Sequence, residues 1–129
     1  ITRFMTLKKS THNEWCFASL QEVKNNFRKF NLLKNNIIFV KGDVLKTLNI
    51  KKNIPNKIAI LRLDTDWYES TKKELEILYP KLCLGGVLLI DDYGFWSGSK
   101  DATDEYFNRY GNRPFLQFTD NTGRAAIKC

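Results

Sequence analysis

Two apolar runs in this chain end in aspartates, and only one helix length of sequence separates them. Ile58-Ala-Ile-Leu61 begins a strand that ends near Asp64, inside Asp64-Thr-Asp66, and Val87-Leu-Leu-Ile90 runs into Asp91-Asp92. Between them, Leu75, Leu78 and Leu82 recur at helical spacing behind Thr71-Lys-Lys-Glu74, where a hydroxyl and a carboxylate three residues apart can cap a helix reciprocally. A strand–helix–strand connection this short makes the two strands parallel neighbours. Sheets of that kind bind ligands outside the carboxyl ends of their strands, which is where the acidic residues fall.

The remaining pattern extends the same architecture. Ser19-Leu-Gln-Glu22 has capping-box chemistry and opens a helix with Leu20, Val23, Phe27 and Phe30 on one face. Ile37-Ile-Phe-Val40 reads as a buried-type strand with Gly42-Asp43 at its carboxyl end, and Lys51 to Lys57, with Pro55, as a loop. Pro80 should kink or end the helix that starts at Thr71, and Gly85-Gly86 should close the connection to the next strand. A shorter helix is expected over about Asp101 to Tyr110, stopped by Gly111. Phe115-Leu-Gln-Phe118 and Ala125-Ala-Ile127 flank Asp120-Asn-Thr-Gly123 as a β-hairpin. Strands alternating with helices define an α/β chain with a parallel sheet and a terminal antiparallel hairpin.

At 129 residues the chain is the size of one domain with one core. No apolar run approaches the roughly 20 residues that span a bilayer, and no apolar segment of signal-peptide type follows the basic N-terminal residues. The net charge is +7, from 21 Lys and Arg against 14 Asp and Glu. No basic run exceeds two residues, so the charge is expected on solvated faces rather than in a nucleic-acid footprint. Cys16, Cys83 and Cys129 form no C-x-x-C pair, and only His12, expected in an exposed loop, could complete a Cys/His zinc set. A reducing cytoplasm fits that cysteine usage, with no nucleic-acid or membrane partner.

Adjacent strands lie roughly 4.8 Å apart, so Asp64, Asp91 and Asp92 are candidates to meet at one sheet rim. Uncompensated, three carboxylates repel and raise one another's pKa values. A divalent ion removes that cost, and all-oxygen ligation suits Mg²⁺ or Mn²⁺. The competing assignment is structural, because aspartate is also common in turns and at helix N-caps.

The stretch Ile60-Leu-Arg-Leu-Asp64-Thr-Asp66-Trp-Tyr68-Glu-Ser70-Thr, followed by Leu78-Tyr-Pro-Lys-Leu82, Gly85-Gly86 and Ile90-Asp-Asp-Tyr-Gly94, resembles the macrocin O-methyltransferase (TylF/MycF-like) family. The similarity takes in Ser19-Leu-Gln-Glu-Val23, Val40-Lys-Gly-Asp43 with Thr47-Leu48, Ala102 to Tyr106 and Asp120-Asn-Thr-Gly123, about residues 15–128 in all. The resemblance implies a class I, Rossmann-like methyltransferase fold, S-adenosylmethionine and Mg²⁺ as cofactors, and a small-molecule hydroxyl acceptor, notably a sugar of a secondary metabolite. It makes Asp64, Asp91 and Asp92 the metal ligands and Asp66 either the general base or a cap. Gly42, Asp43 and Asp64 lie on the cofactor side. Trp67 and Tyr68 pack or line the acceptor site, and Trp96 either walls it or is a loop aromatic. Two other classes compete: a glycosyltransferase using Asp64 and Asp66 as a D-x-D metal motif, and a non-catalytic basic module.

One departure from the family pattern stands out. Class I methyltransferases grip the cofactor with a glycine-rich turn after their first strand, where the backbone must approach closely. Here the glycines are at 42, 85, 86, 94, 98, 111 and 123, and no G-x-G precedes the first strand. The chain also begins at Ile1 rather than Met. Residues 1–129 therefore read as the C-terminal portion of a single methyltransferase domain, with the cofactor-loop strands missing and the strand at Ile37–Val40 left without its native neighbour. The expected behaviour of these 129 residues alone is no S-adenosylmethionine binding and no turnover; tight cofactor binding by calorimetry would contradict it.

Overall fold

The computed structural model describes residues 17–129 of the chain. His12 and Cys16 lie outside the described residues. Two compact units divide at Lys41/Gly42.

In the first unit, α1 spans Leu20–Lys29. Its start follows the expected capping box: the Glu22 amide donates to Ser19 Oγ at 3.2 Å, and the Ser19 amide donates to Glu22 Oε2 at 2.8 Å. The acceptor role of Glu22 holds its carboxyl below the usual range. Phe30 does not join the apolar face; it is the exposed C-cap. Ile37–Val40 is not a strand here, although Phe39 packs edge-on against Phe27 at 5.4 Å. A ladder needs a partner backbone, and none among the described residues pairs with this segment. Ile38 is 86% exposed.

The second unit holds the sheet. After α2 (Val44–Thr47), the strands and helices run β1 (Ile58–Leu63), α3 (Tyr68–Leu78), β2 (Leu82–Ile90), α4 (Ser97–Tyr110), β3 (Gln117–Phe118) and β4 (Arg124–Ile127). The sheet order is β1-β2-β4-β3. β1 and β2 are parallel, and β4 is antiparallel to both β2 and β3. The expected α/β class with a terminal hairpin is therefore present, as a mixed sheet.

Period-2 alternation in β1 puts Leu61 and Leu63 on the buried face. With Leu88 and Ile90 of β2 they pack on Leu75 and Tyr79 from the α3 side and on Tyr106 and Phe107 of α4. Tyr79 meets Phe107 edge-to-face at 5.1 Å. The opposite face exposes Ile60 and Ile127.

Three boundaries differ from the sequence expectation. First, α3 starts at Tyr68, not at Thr71, because the Ser70 hydroxyl donates to the Thr65 and Trp67 carbonyls and organises the first turn earlier. Thr71 and Glu74 are buried and make no capping box. Second, Gly85-Gly86 do not end the connection but sit inside β2, at the irregularity where Ile58 faces Leu82 and Ile60 faces Val87. Gly85 takes φ +76°, and a side chain on Gly86 would meet backbone oxygens of Cys83 and Ala59 at 2.8 and 3.0 Å. Third, α4 begins at Ser97, four residues before Asp101. Pro80 ends α3 in a 3₁₀ turn, as its missing N–H requires, and Gly111 stops α4 at φ +72°.

No helix among the described residues is long and apolar enough to cross a membrane. Leu75 is fully buried whereas Leu84 is 77% exposed. Leu75→Ala is expected to lower unfolding free energy by about 2–5 kcal/mol, and Leu84→Ala to change it by about 0.5 kcal/mol or less. Urea unfolding of both variants checks the contrast.

Candidate metal and methyl-transfer site

The register of β1 and β2 builds the site. Leu63 lies opposite Ile90, and the Asp91 amide donates to the Leu63 carbonyl at 3.0 Å. The next residues, Asp64 and Asp91, therefore leave the sheet side by side. Carboxylate oxygens of Asp64, Asp91 and Asp92 all lie within 4.8 Å of one another, forming the one such metal-capable group among the described residues.

Asp66 joins them from a tight turn. Trp67 donates its amide to the Thr65 carbonyl at 2.7 Å, which places Asp66 at φ +64°. A non-glycine residue held there stores strain that surrounding contacts must sustain. Gly98 at the start of α4 supplies one: any side chain on it would lie 2.7 Å from the Tyr68 nitrogen and 3.3 Å from the Asp66 carbonyl oxygen. Below the turn, the Thr65 hydroxyl donates to Glu74 at 2.9 Å. On the β2 side, the hairpin turn closes against the aspartate loop, with the Gly94 amide donating to the Thr122 carbonyl at 2.8 Å. Asp120 holds that turn by accepting the amides of Thr122 and Gly123 at 2.8 and 2.7 Å.

The electrostatics follow from crowding. Burial, then the neighbouring Asp92 carboxylate, pushes the Asp66 carboxyl up to about 6. Burial also raises Asp64, against the opposing pull of Arg62. Arg62 is the residue that sequence reasoning missed. Its guanidinium bonds Asp64 Oδ2, and its second nitrogen reaches Asp91 Oδ1 at 2.7 Å. The signal was available: a lone charge within an apolar strand, two residues before Asp64 and so on the same sheet face.

The other sequence candidates have definite places. Asp43 N-caps α2, accepting the Leu45 amide at 3.0 Å, and Gly42 adopts φ +147° with Thr47 closely packed against it. Tyr68 bonds Glu105 through its hydroxyl, and Lys72 reaches Glu105 at 2.7 Å, so Tyr68 ties α3 to α4. Trp67 lies 5.8 Å from Trp96, whose ring meets Phe95 at 5.0 Å, giving a partly exposed aromatic ledge.

Comparison with known proteins is consistent with this geometry. The family model for macrocin-O-methyltransferase (TylF) matches residues 5–125. Demethyldecarbamoylnovobiocin O-methyltransferase of Streptomyces niveus is 43% identical over 109 residues, covering 82% of this chain and 40% of that protein. An 8-demethyl-8-(2,3-dimethoxy-alpha-L-rhamnosyl)-tetracenomycin-C 4'-O-methyltransferase of Streptomyces olivaceus is 37% identical over 113 residues, covering 87% and 42%. Among solved structures, the O-methyltransferase NovP aligns with a TM-score of 0.80 at 37% identity, over 86% of this chain and 45% of that one. The chain thus spans about two fifths of the length of these two curated relatives.

Glu74, 7% exposed, has its carboxyl raised by burial from the ordinary 4.5 to about 7. A carboxyl raised in the folded state contributes stability that is complete below its unfolded value and lost as pH rises through the folded one. Glu74→Gln keeps an acceptor for the Thr65 hydroxyl without the charge. It is expected to be more stable than the parent at pH 8 and to lose that advantage at pH 4; an equal difference at both pH values in urea unfolding contradicts the assignment.

Proposed function

This chain belongs to the macrocin O-methyltransferase (TylF) family, and from that premise we propose that it carries the metal-binding, acceptor-side part of an enzyme that methylates a hydroxyl. The methyl donor is S-adenosylmethionine, and the acceptor is a small molecule of sugar or secondary-metabolite type, as the names of its relatives describe for those proteins. The residues form the C-terminal portion of one methyltransferase domain.

The observation that supports this most is the convergence of Asp64, Asp91 and Asp92 at the ends of two paired strands. Their donor set, three hard carboxylates, fits Mg²⁺ or Mn²⁺. Their oxygens lie within 4.8 Å of one another, and side-chain rotation would let one ion draw them together. When bound, the ion and S-adenosylmethionine together supply an electrophilic methyl group and a point that draws in acceptor oxygens and acidifies the hydroxyl.

The chain's own residues do the rest. Asp64, Asp91 and Asp92 fix where the acceptor's vicinal oxygens sit. Asp66, raised toward neutrality by its setting, takes the hydroxyl proton on its carboxylate. The ledge of Trp67, Trp96 and Phe95 offers an apolar face beside the carboxylates for the acceptor ring. Gly42, Asp43 and Asp64 form the cofactor side. The D-x-D glycosyltransferase and basic-module alternatives find no counterpart among these relatives.

In the complete enzyme, Asp92→Ala is expected to abolish methyl transfer and leave cofactor affinity within about a few fold. Asp66→Asn is expected to lower turnover roughly a hundredfold or more while Mn²⁺ still binds. Loss of Mn²⁺ from Asp66→Asn would make Asp66 a ligand and not the base.

A further inference from the structure

With the divalent-cation site proposed above as its basis, we infer that Arg62 is the site's internal counter-cation, bridging Asp64 and Asp91 and giving way when an ion binds. The guanidinium forks across two of the three carboxylates, one nitrogen on Asp64 Oδ2 and the other on Asp91 Oδ1 at 2.7 Å. These are two of the three side chains whose oxygens converge. An ion held by the same two carboxylates would sit within a few ångströms of the guanidinium, and the two like charges repel, so the ion and the fork compete for the pair.

Three features favour displacement over permanent support. Arg62 is about half exposed, so its side chain has solvent to move into. It lies on the sheet face opposite Leu61 and Leu63, outside the buried core, and no core contact pins its position. Asp92 lies outside the fork, so one of the three converging carboxylates can meet an incoming ion before the fork opens. Without Arg62, Asp64 and Asp91 would face each other unpaired and repel. With it, the carboxylates stay gathered, ready for ligation.

The fork also opposes the ion. Half-exposed ion pairs are individually weak, and removing two of them corresponds to roughly a two- to thirtyfold change in affinity. The test is calorimetric titration of MnCl₂ into the protein, its Arg62→Met and Arg62→Lys variants, and Lys81→Met as a control for net charge, each checked for folding by circular dichroism. The expected result is Mn²⁺ binding tightened roughly two- to thirtyfold by Arg62→Met and unchanged by Lys81→Met. Thermal unfolding of metal-free Arg62→Met should fall below the parent's, and Mn²⁺ should raise it by more than it raises the parent's. Should Arg62→Met not fold, Arg62→Lys, whose single ammonium cannot fork across both carboxylates, carries the same expectation in smaller measure. Mn²⁺ affinity unchanged or weakened in the arginine variants overturns the inference and leaves the metal site standing. No Mn²⁺ binding by the parent or by any variant overturns the metal site itself.

Discussion

A single register holds this site together. Leu63 faces Ile90 across two parallel strands, and the amide of Asp91 bonds the Leu63 carbonyl at 3.0 Å. The side-chain period of a strand is two, so a slip of β1 by one residue would turn Leu61 and Leu63 out of the core. The hydrophobic core therefore enforces the alignment, and the alignment delivers Asp64 and Asp91 to neighbouring positions at the rim. Stability and chemistry here share one constraint: the same residues that bury against α3 and α4 fix the spacing of the carboxylates.

That spacing creates an electrostatic problem that the surroundings manage locally. Arg62 neutralises part of the charge. Burial, and then the neighbouring Asp92 carboxylate, raise the carboxyl of Asp66. The left-handed turn at Asp66 is held by the Ser70 hydroxyl, by the Thr65–Glu74 bond and by the close approach of Gly98. Strain, burial and like charge coincide at one short loop, as expected where side chains are placed for chemistry and not for stability.

Much of this was legible in the residues. The β1–α3–β2 unit, the hairpin, and the meeting of Asp64, Asp91 and Asp92 all follow from apolar runs ending in acids and from the shortness of the connection. What was not legible depended on tertiary partners. Ile37–Val40 has strand-like residues but no neighbouring strand among the described residues, so composition alone misassigns it. Thr71 and Glu74 have the spacing of a capping box, yet packing buries both, and the Ser70 hydroxyl begins the helix three residues earlier. Gly85-Gly86 looked like the end of a connection because glycine is common there; they serve instead at an irregularity within a strand. Arg62 was passed over because a charge in a strand reads as a solvent-facing position, which is true of its exposure and silent on what its guanidinium reaches.

The central claim is that Asp64, Asp91 and Asp92 share one divalent ion at the rim of the sheet. The most direct measurement is anomalous diffraction at the manganese edge from crystals grown with MnCl₂. A single peak within coordination distance of all three carboxylates, with the Arg62 guanidinium moved off Asp64 and Asp91, is the result this account requires. Crystals containing Mn²⁺ that show no peak there, with the arginine fork intact, would contradict it.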